Sequence, residues 1–157
     1  MEQKTNVMRL LEGAHLPFTF HYYDAPDGAL SGVEVAQQLS QDPDRVFKTL
    51  VTTGASGKHY VFMIPVAEEL SLKKAAAAAK EKSIAMLKSK DLLPLTGYVH
   101  GGCSPIGMKK SFPTYVDETA QLFDTILFSG GKIGTQVELA PEDLAKMVPY
   151  TYADLTM

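Results

Sequence analysis

Apolar and polar positions along this chain follow two periods, and the switches between them mark its elements. Val7, Met8, Leu10, Leu11 and Ala14 recur at helical spacing behind Thr5-Asn6, which predicts a short helix ending near Gly13. Pro17 restarts the chain as a strand, Phe18 to Tyr23, and Asp24-Ala25-Pro26-Asp27-Gly28 reads as a turn. Ser31-Gly32-Val33-Glu34 has capping-box spacing and opens a helix to about Leu39, followed by a turn at Gln41-Asp42-Pro43-Asp44. Val46 to Val51 and His59 to Pro65 are β-branched or apolar runs around Gly54-Ala55-Ser56-Gly57, the pattern of a hairpin. Ser71 caps a helix Leu72–Lys80 whose alanines are strong helix formers.

Ile84-Ala85-Met86 reads as a short strand and Lys88–Leu93 as a helix ended by Pro94. Gly97 to Gly107 reads as a strand entering a glycine-rich loop. Strands follow at Thr114–Asp117, Thr125–Phe128 and Gln136–Leu139, and Pro141 at a first helical position starts a last helix to about Met147. No repeat or linker divides the chain. Because helices and strands do not alternate regularly, the expectation is one α+β domain, residues 1–157, with a central mixed, barrel-like sheet surrounded by helices.

Within that pattern Lys48 stands out. Alternation along its strand sets Val46, Lys48 and Leu50 on one face and Phe47, Thr49 and Val51 on the other. A lysine between two hydrophobes is costly to desolvate unless an anion or acceptor meets it. One reading is an edge lysine extending its head to water; the other is a cation lining a ligand cleft. The pattern alone leaves both open.

Composition changes the picture mainly by exclusion. The single cysteine, Cys103, rules out an internal disulfide framework and a cysteine-rich zinc site. No apolar run approaches the roughly 18 residues of a membrane span, and Met1-Glu2-Gln3-Lys4-Thr5 does not lead into a signal-peptide core, so a cytoplasmic protein is expected. The net charge of −3 argues against a strong general nucleic-acid binder. Its distribution is uneven, however: residues 71–110 hold eight lysines against Glu81 and Asp91, between acidic ends. Such a middle is either a solvated helical surface or a modest landing patch for a polyanion.

Two glycine pairs, Gly101-Gly102 and Gly130-Gly131, offer backbone that can approach a ligand closely, and neither fits a P-loop or dinucleotide fingerprint. Cys103 beside His100 suggests a nucleophile and base, but a lone cytosolic cysteine more often fills core volume. The four histidines show no metal-ligand spacing, and no metal or cofactor is expected.

The ordered set Phe47-Lys48-Thr49-Leu50, Leu72-Lys73-Lys74-Ala75, Thr96-Gly97-Tyr98, Gly101-Gly102-Cys103-Ser104-Pro105-Ile106-Gly107, Lys109-Lys110, Ser129-Gly130-Gly131-Lys132 and Glu138-Leu139-Ala140-Pro141 resembles the YbaK/EbsC family of aminoacyl-tRNA deacylases. These are relatives of the editing domain of prolyl-tRNA synthetases, and the resemblance covers nearly the whole chain. It is strongest towards the free-standing Cys-tRNA(Pro) deacylases. The resemblance implies hydrolysis of the ester joining a wrong amino acid to tRNA(Pro), assisted by the substrate's own thiol. It places the family's essential lysine on Lys48 and its substrate loop on Gly101 to Pro105, with Gly102, Cys103 and Ser104 between. Tyr23 falls near the bound amino acid, and Ser129, Gly130 and Gly131 form the other wall. Lys73, Lys74, Lys109 and Lys110 are then expected to contact the tRNA. Prolyl-tRNA synthetase is the expected partner in a ternary complex.

Cys103 departs from the aliphatic residue usual in that loop, and Ile133 and Gln136 also depart from common choices, which bears on selectivity more than on fold. The alternatives are a deacylase for another mischarged tRNA such as Ala-tRNA(Pro), a non-catalytic module binding aminoacyl-tRNA or a synthetase, and a thiol hydrolase using Cys103.

Overall fold

The computed structural model describes residues 4–157; Met1–Gln3, where the leader-free reading begins, lie outside them. Helix α1 (Asn6–Gly13) is capped by Thr5, whose Oγ1 accepts from the Met8 amide at 3.2 Å, and it buries Val7, Met8 and Leu11. After β1 (Thr19–Tyr22) comes α2 (Gly32–Gln38), held by the expected capping box. In that box Ser31 Oγ accepts from the Glu34 amide at 3.2 Å while Glu34 Oε1 accepts from the Ser31 amide at 3.1 Å. Strands β2 (Phe47–Gly54) and β3 (His59–Pro65) form the hairpin, with Lys48 opposite Ile64. Helix α3 (Leu72–Ala79) follows its Ser71 cap and stops at Lys80, which takes the left-handed φ of 58°.

Then come β4 (Ile84–Met86), α4 (Ser89–Thr96), β5 (Thr114–Asp117), β6 (Ile126–Ser129), β7 (Thr135–Leu139), α5 (Pro141–Met147) and β8 (Tyr150–Ala153). The strands form a three-stranded sheet, β1-β7-β6, and a five-stranded sheet, β4-β2-β3-β5-β8. The second is mixed: β5 runs parallel to both β3 and β8, while β2 is antiparallel to its neighbours. The two sheets adjoin through a parallel bridge between Val46 and Leu127.

The largest core lies between the sheets, where Phe47, Val51, Met63 and Val116 of one meet Ile126, Phe128, Val137 and Leu139 of the other under α1 and α5. On the far face of the larger sheet, Tyr60, Phe62 and Ile64 pack against Ala75 and Ala76 of α3. A small third cluster, Ala36, Val46, Val66 and Leu127, seats α2 over the junction of the two sheets. Full burial of such side chains contributes about 1.5–3 kcal/mol each, so these faces fix the alternation that the sequence pattern predicts.

The α+β class and the mixed sheet are as expected, but the curl stops short of a barrel. Strand β4 pairs only with Thr52–Gly54 of β2, the Leu87 amide reaches one residue further to the Val51 carbonyl at 3.1 Å, and β6 meets the chain at Val46, so the edge from Phe47 to Leu50 remains open. Three local expectations also change. Helix α4 runs past Pro94, which sits inside its last turn and removes one amide there, to Thr96; Gly97 at φ 87° is the actual stop. Gly97–His100 is not a strand: the Gly102 amide bonds back to Val99 at 3.0 Å, and the Tyr98 hydroxyl donates to the Ile106 carbonyl, folding the segment on itself. Strand β8, absent from the sequence reading, pairs Tyr150–Ala153 alongside β5.

Candidate active site

The unpaired edge of β2 opens into a cleft of about 530 Å³. Its lining includes Tyr23, the start of α2, Ser129, Gln136, Leu87, Gly101 and Cys103. Register explains who meets whom. Two residues beyond the Val46–Leu127 bridge, Lys48 and Ser129 share a face, and the β6–β7 pairing sets Gln136 opposite Ser129. Lys48, Ser129 and Gln136 thus form a row across three strands, all lining the cleft.

Lys48 is half-buried, and its ammonium has no hydrogen bond or ion pair among the described residues. Burial pulls its ammonium below the ordinary lysine range, and the more distant charges of Glu69 and Glu68 act the other way. Lys48 thus lies on the open edge of its strand and also lines the cleft.

Two further polar atoms in the wall are buried without a partner, Thr49 Oγ1 and Gln136 Oε1. An unmet buried acceptor costs about 1–3 kcal/mol. Thr49 neighbours the singled-out lysine, and Gln136 stood out only as a departure from a family pattern. Neither carries a chemical signature in sequence, since a strand Thr or Gln is usually an ordinary surface residue.

The two glycine loops touch where Gly102 packs against Lys132–Ile133, just past the second pair. A Cβ on Gly101, at φ 87°, would lie 2.5 Å from that of Ala29, and one on Gly102 would lie 3.1 Å from the Ile133 amide nitrogen. Gly130 is pressed equally hard, with 2.5 Å left to the Phe20 ring. The glycines therefore permit the two loops to touch, and only Gly101 of the four reaches the cleft wall.

The Gly102 amide is consumed by Val99, while those of Gly101, Cys103 and Ser104 have no partner among the described residues. Ser104 is fully buried with its Oγ accepting from the Ile106 amide at 3.3 Å, and neither it nor Pro105 lines the cleft. Cys103 does line it, but burial pushes its thiol up to about 12, so at neutral pH it is neither a thiolate nor a ready nucleophile. Ser129 holds the second loop: its Oγ accepts from the Gly131 amide at 3.1 Å.

The four lysines expected to contact tRNA lie away from the cleft wall. Lys73 borders a separate shallow groove on α3. Lys74 is occupied, donating to Asp154 Oδ1 at 3.0 Å and to the Thr156 carbonyl at 2.7 Å, which ties down the C-terminal strand. Lys109 lies over Gly97, and it and Lys110 are exposed. Among the described residues, no three metal-ligating side chains cluster, and no helix is long and apolar enough to cross a membrane.

An open-edged mixed sheet with a lysine, paired glycine loops and orphaned acceptors around one cleft defines a small-domain binding site for a polar, partly apolar ligand. The chain belongs to the aminoacyl-tRNA editing domain family, whose description matches residues 27–147. It is 45% identical, over 99% of its length and 94% of the other, to EbsC of Enterococcus faecalis, described as a candidate Cys-tRNA(Pro)/Cys-tRNA(Cys) deacylase. Its fold is that of a solved protein described as a candidate trans-editing enzyme for prolyl-tRNA synthetase (TM-score 0.81, 23% identity, 99% of each chain). A solved hypothetical protein shares the fold at TM-score 0.85 and 20% identity, over 96% of this chain and 99% of that one.

Proposed function

We propose that this protein is a cytoplasmic trans-editing deacylase that hydrolyses Cys-tRNA(Pro), with the whole of residues 1–157 as the working unit. The observation that carries the reading is Lys48: a half-buried ammonium with no ion pair, on the open edge of β2, in the cleft of an editing-domain chain. An aminoacyl ester is already activated, so orientation and a few fixed dipoles can supply much of the acceleration. The Lys48 ammonium donates to the carbonyl or terminal ribose–phosphate region and holds the ester in a reactive pose. The unbonded amides of Gly101 and Cys103, the two residues of the glycine loop that line the cleft, are the supply of N–H donors, and Tyr23 backs the amino-acid end.

The substrate's thiol then serves as nucleophile. Its sulfur bonds to the ester carbon, the bond to the ribose oxygen breaks, and the thiol proton ends on that oxygen. Water opens the resulting cyclic thioester to free cysteine. This chemistry asks nothing of Cys103, which suits a thiol held protonated. Lys73, Lys109 and Lys110 offer weak, salt-sensitive contacts to the tRNA, whereas Lys74 is committed to the C-terminal strand. Prolyl-tRNA synthetase is the partner that presents mischarged tRNA, since the acidic chain of net charge −3 holds free tRNA weakly.

The test is deacylation of Cys-tRNA(Pro), Ala-tRNA(Pro) and Pro-tRNA(Pro) by the wild type and by Lys48→Ala. Loss of cysteine alone, abolished in the variant, is expected. Faster loss of alanine would reassign the substrate, and no turnover of any of the three would leave a binding module in place of an enzyme.

A further inference from the structure

The gap in the β2 edge turns one residue's main chain towards the cleft, and the register identifies it. The Val46 carbonyl accepts from the Val66 amide at 2.9 Å, and at the other end of the hairpin the Gly54 amide donates to the Lys58 carbonyl at 2.8 Å. Even-numbered residues of β2 therefore give their N–H and C=O to β3, and odd-numbered ones turn theirs to the other side. On that side Thr53 pairs with Ala85 of β4, the Val51 carbonyl takes the Leu87 amide, and β6 joins at the Val46–Leu127 bridge beside Phe47. Thr49 lies between these contacts. No ladder among the described residues takes its N–H or its C=O, and it lines the cleft.

Backbone donors and acceptors held away from water are nearly always paired, so this pair awaits a ligand. An added peptide strand needs several such rungs in a row. The gap supplies one, and one rung fits one residue. In an antiparallel hydrogen-bonded pair, the residue opposite donates its nitrogen's proton and accepts on its own carbonyl. An aminoacyl ester carries that set on a single residue: an α-ammonium donor and a carbonyl acceptor.

Resting on the deacylase reading above, we propose that the aminoacyl group docks on the β2 edge as a one-residue antiparallel strand. Its carbonyl accepts from the Thr49 N–H, and its α-ammonium donates to the Thr49 C=O. Register then fixes the rest of the pose. Residues paired across strands point their side chains to one face. The amino-acid side chain therefore lies on the face of Phe47 and Val51, whose packing cluster includes Cys103. Because the two chain directions are opposed, the ester runs back towards residue 48. The terminal ribose falls beside the Lys48 side chain, on the opposite face.

The test is amide hydrogen exchange followed by NMR on the full chain, free and saturated with 3′-cysteinylamino-3′-deoxyadenosine, a non-hydrolysable amide of the charged 3′ end. In the free protein the Lys48 and Leu50 amides, bonded to β3, should exchange about a hundredfold or more slower than that of Thr49. The analogue should slow Thr49 about tenfold or more, and 3′-amino-3′-deoxyadenosine, which lacks the amino acid, should not. The desamino (3-mercaptopropionyl) analogue, without the ammonium, should bind about tenfold or more weaker. Thr49→Pro removes the N–H from the open edge and leaves the β3 ladder whole, so it should raise Kd for the full analogue about fivefold or more. The proposal is overturned by a Thr49 amide already protected in the free protein or unaffected by the bound analogue. Equal affinity for the desamino compound, or an unchanged Kd in Thr49→Pro, overturns it as well. If Thr49→Pro fails to fold, the exchange measurement decides alone. Turnover of Cys-tRNA(Pro), measured in parallel, separates the two readings: protection of Thr49 without turnover refutes the deacylase, and turnover without protection refutes only the pairing with Thr49.

Discussion

Replacing Lys48 with methionine should damage activity and improve stability together. The ammonium is held half out of water with no ion pair, so it weighs against the folded state wherever lysine is protonated in both states. The sign follows from linkage. The folded-state pKa lies below the ordinary value of 10.5, so the unfolded chain holds the proton more tightly. The penalty is fully present below the folded-state pKa and fades as pH rises from there through 10.5.

Methionine has similar length, lies between buried Val46 and half-buried Leu50, and carries no charge. Half the transfer free energy of a buried methionine is about 1 kcal/mol. For a chain of this size that shifts Tm upward by roughly 2–4 °C. Loss of one oriented donor to the reacting ester costs about 2.7–4 kcal/mol, a fall of roughly a hundred- to a thousandfold in kcat. Single-turnover loss of labelled cysteine from Cys-tRNA(Pro) and a calorimetric melt of the same preparation read both effects. A variant that loses stability in step with activity would make Lys48 a structural residue. Retention of activity within about threefold would remove it from the chemistry altogether.

Three other outcomes probe the surroundings of the cleft. Gly101→Ala should cost about 2–4 kcal/mol in denaturant unfolding, from a left-handed backbone and a Cβ only 2.5 Å from Ala29, whereas Gly57→Ala, at φ 90° in open space, should cost about 1 kcal/mol; equal costs would refute the loop-contact argument. The Cys103 thiol, pushed up to about 12 by burial, should resist iodoacetamide at pH 8 in the native protein and react once it is unfolded, and fast native labelling would contradict its packing. Burial opposes the charge on Glu138, but Thr125, His21 and Arg45 outweigh it and hold the carboxyl below its usual 4.5. That stability is present above pH 4.5 and is lost as pH falls through the depressed value. Glu138→Gln should therefore flatten the acid limb of a stability–pH curve and cost about 2 kcal/mol at pH 7, and an unchanged limb would show that the cluster contributes nothing.

The local code was legible in this chain because it is written in short-range chemistry. The Ser31–Glu34 capping box, the Thr5 and Ser71 caps and the β2–β3 hairpin all form where their residue types demand. Alternation on β2 also marked Lys48 as anomalous before any fold was known. The end of α4 was harder to read, since one proline in the last turn does not stop the helix and the αL glycine at Gly97 decides. Strand β8 was missed because Tyr150–Ala153 is stabilised by its pairing with Thr114–Asp117 of β5, distant in sequence, and not by its own pattern.

Tertiary structure alone decided what surrounds the lysine. Alternation can say that Lys48 shares a face with hydrophobes; it cannot say that β4 stops at Thr52, that β6 leaves the ladder at Val46, or that the gap between them becomes a cleft. Nor can it show Gln136 beside Ser129, since their meeting is set by a register between strands. The sequence determined the elements and the odd cation among them, because propensity, capping and period act over a few residues. The cleft, the paired glycine loops and the open edge at Thr49 arise from strand pairings distant in sequence, and only packing the whole chain brings them together.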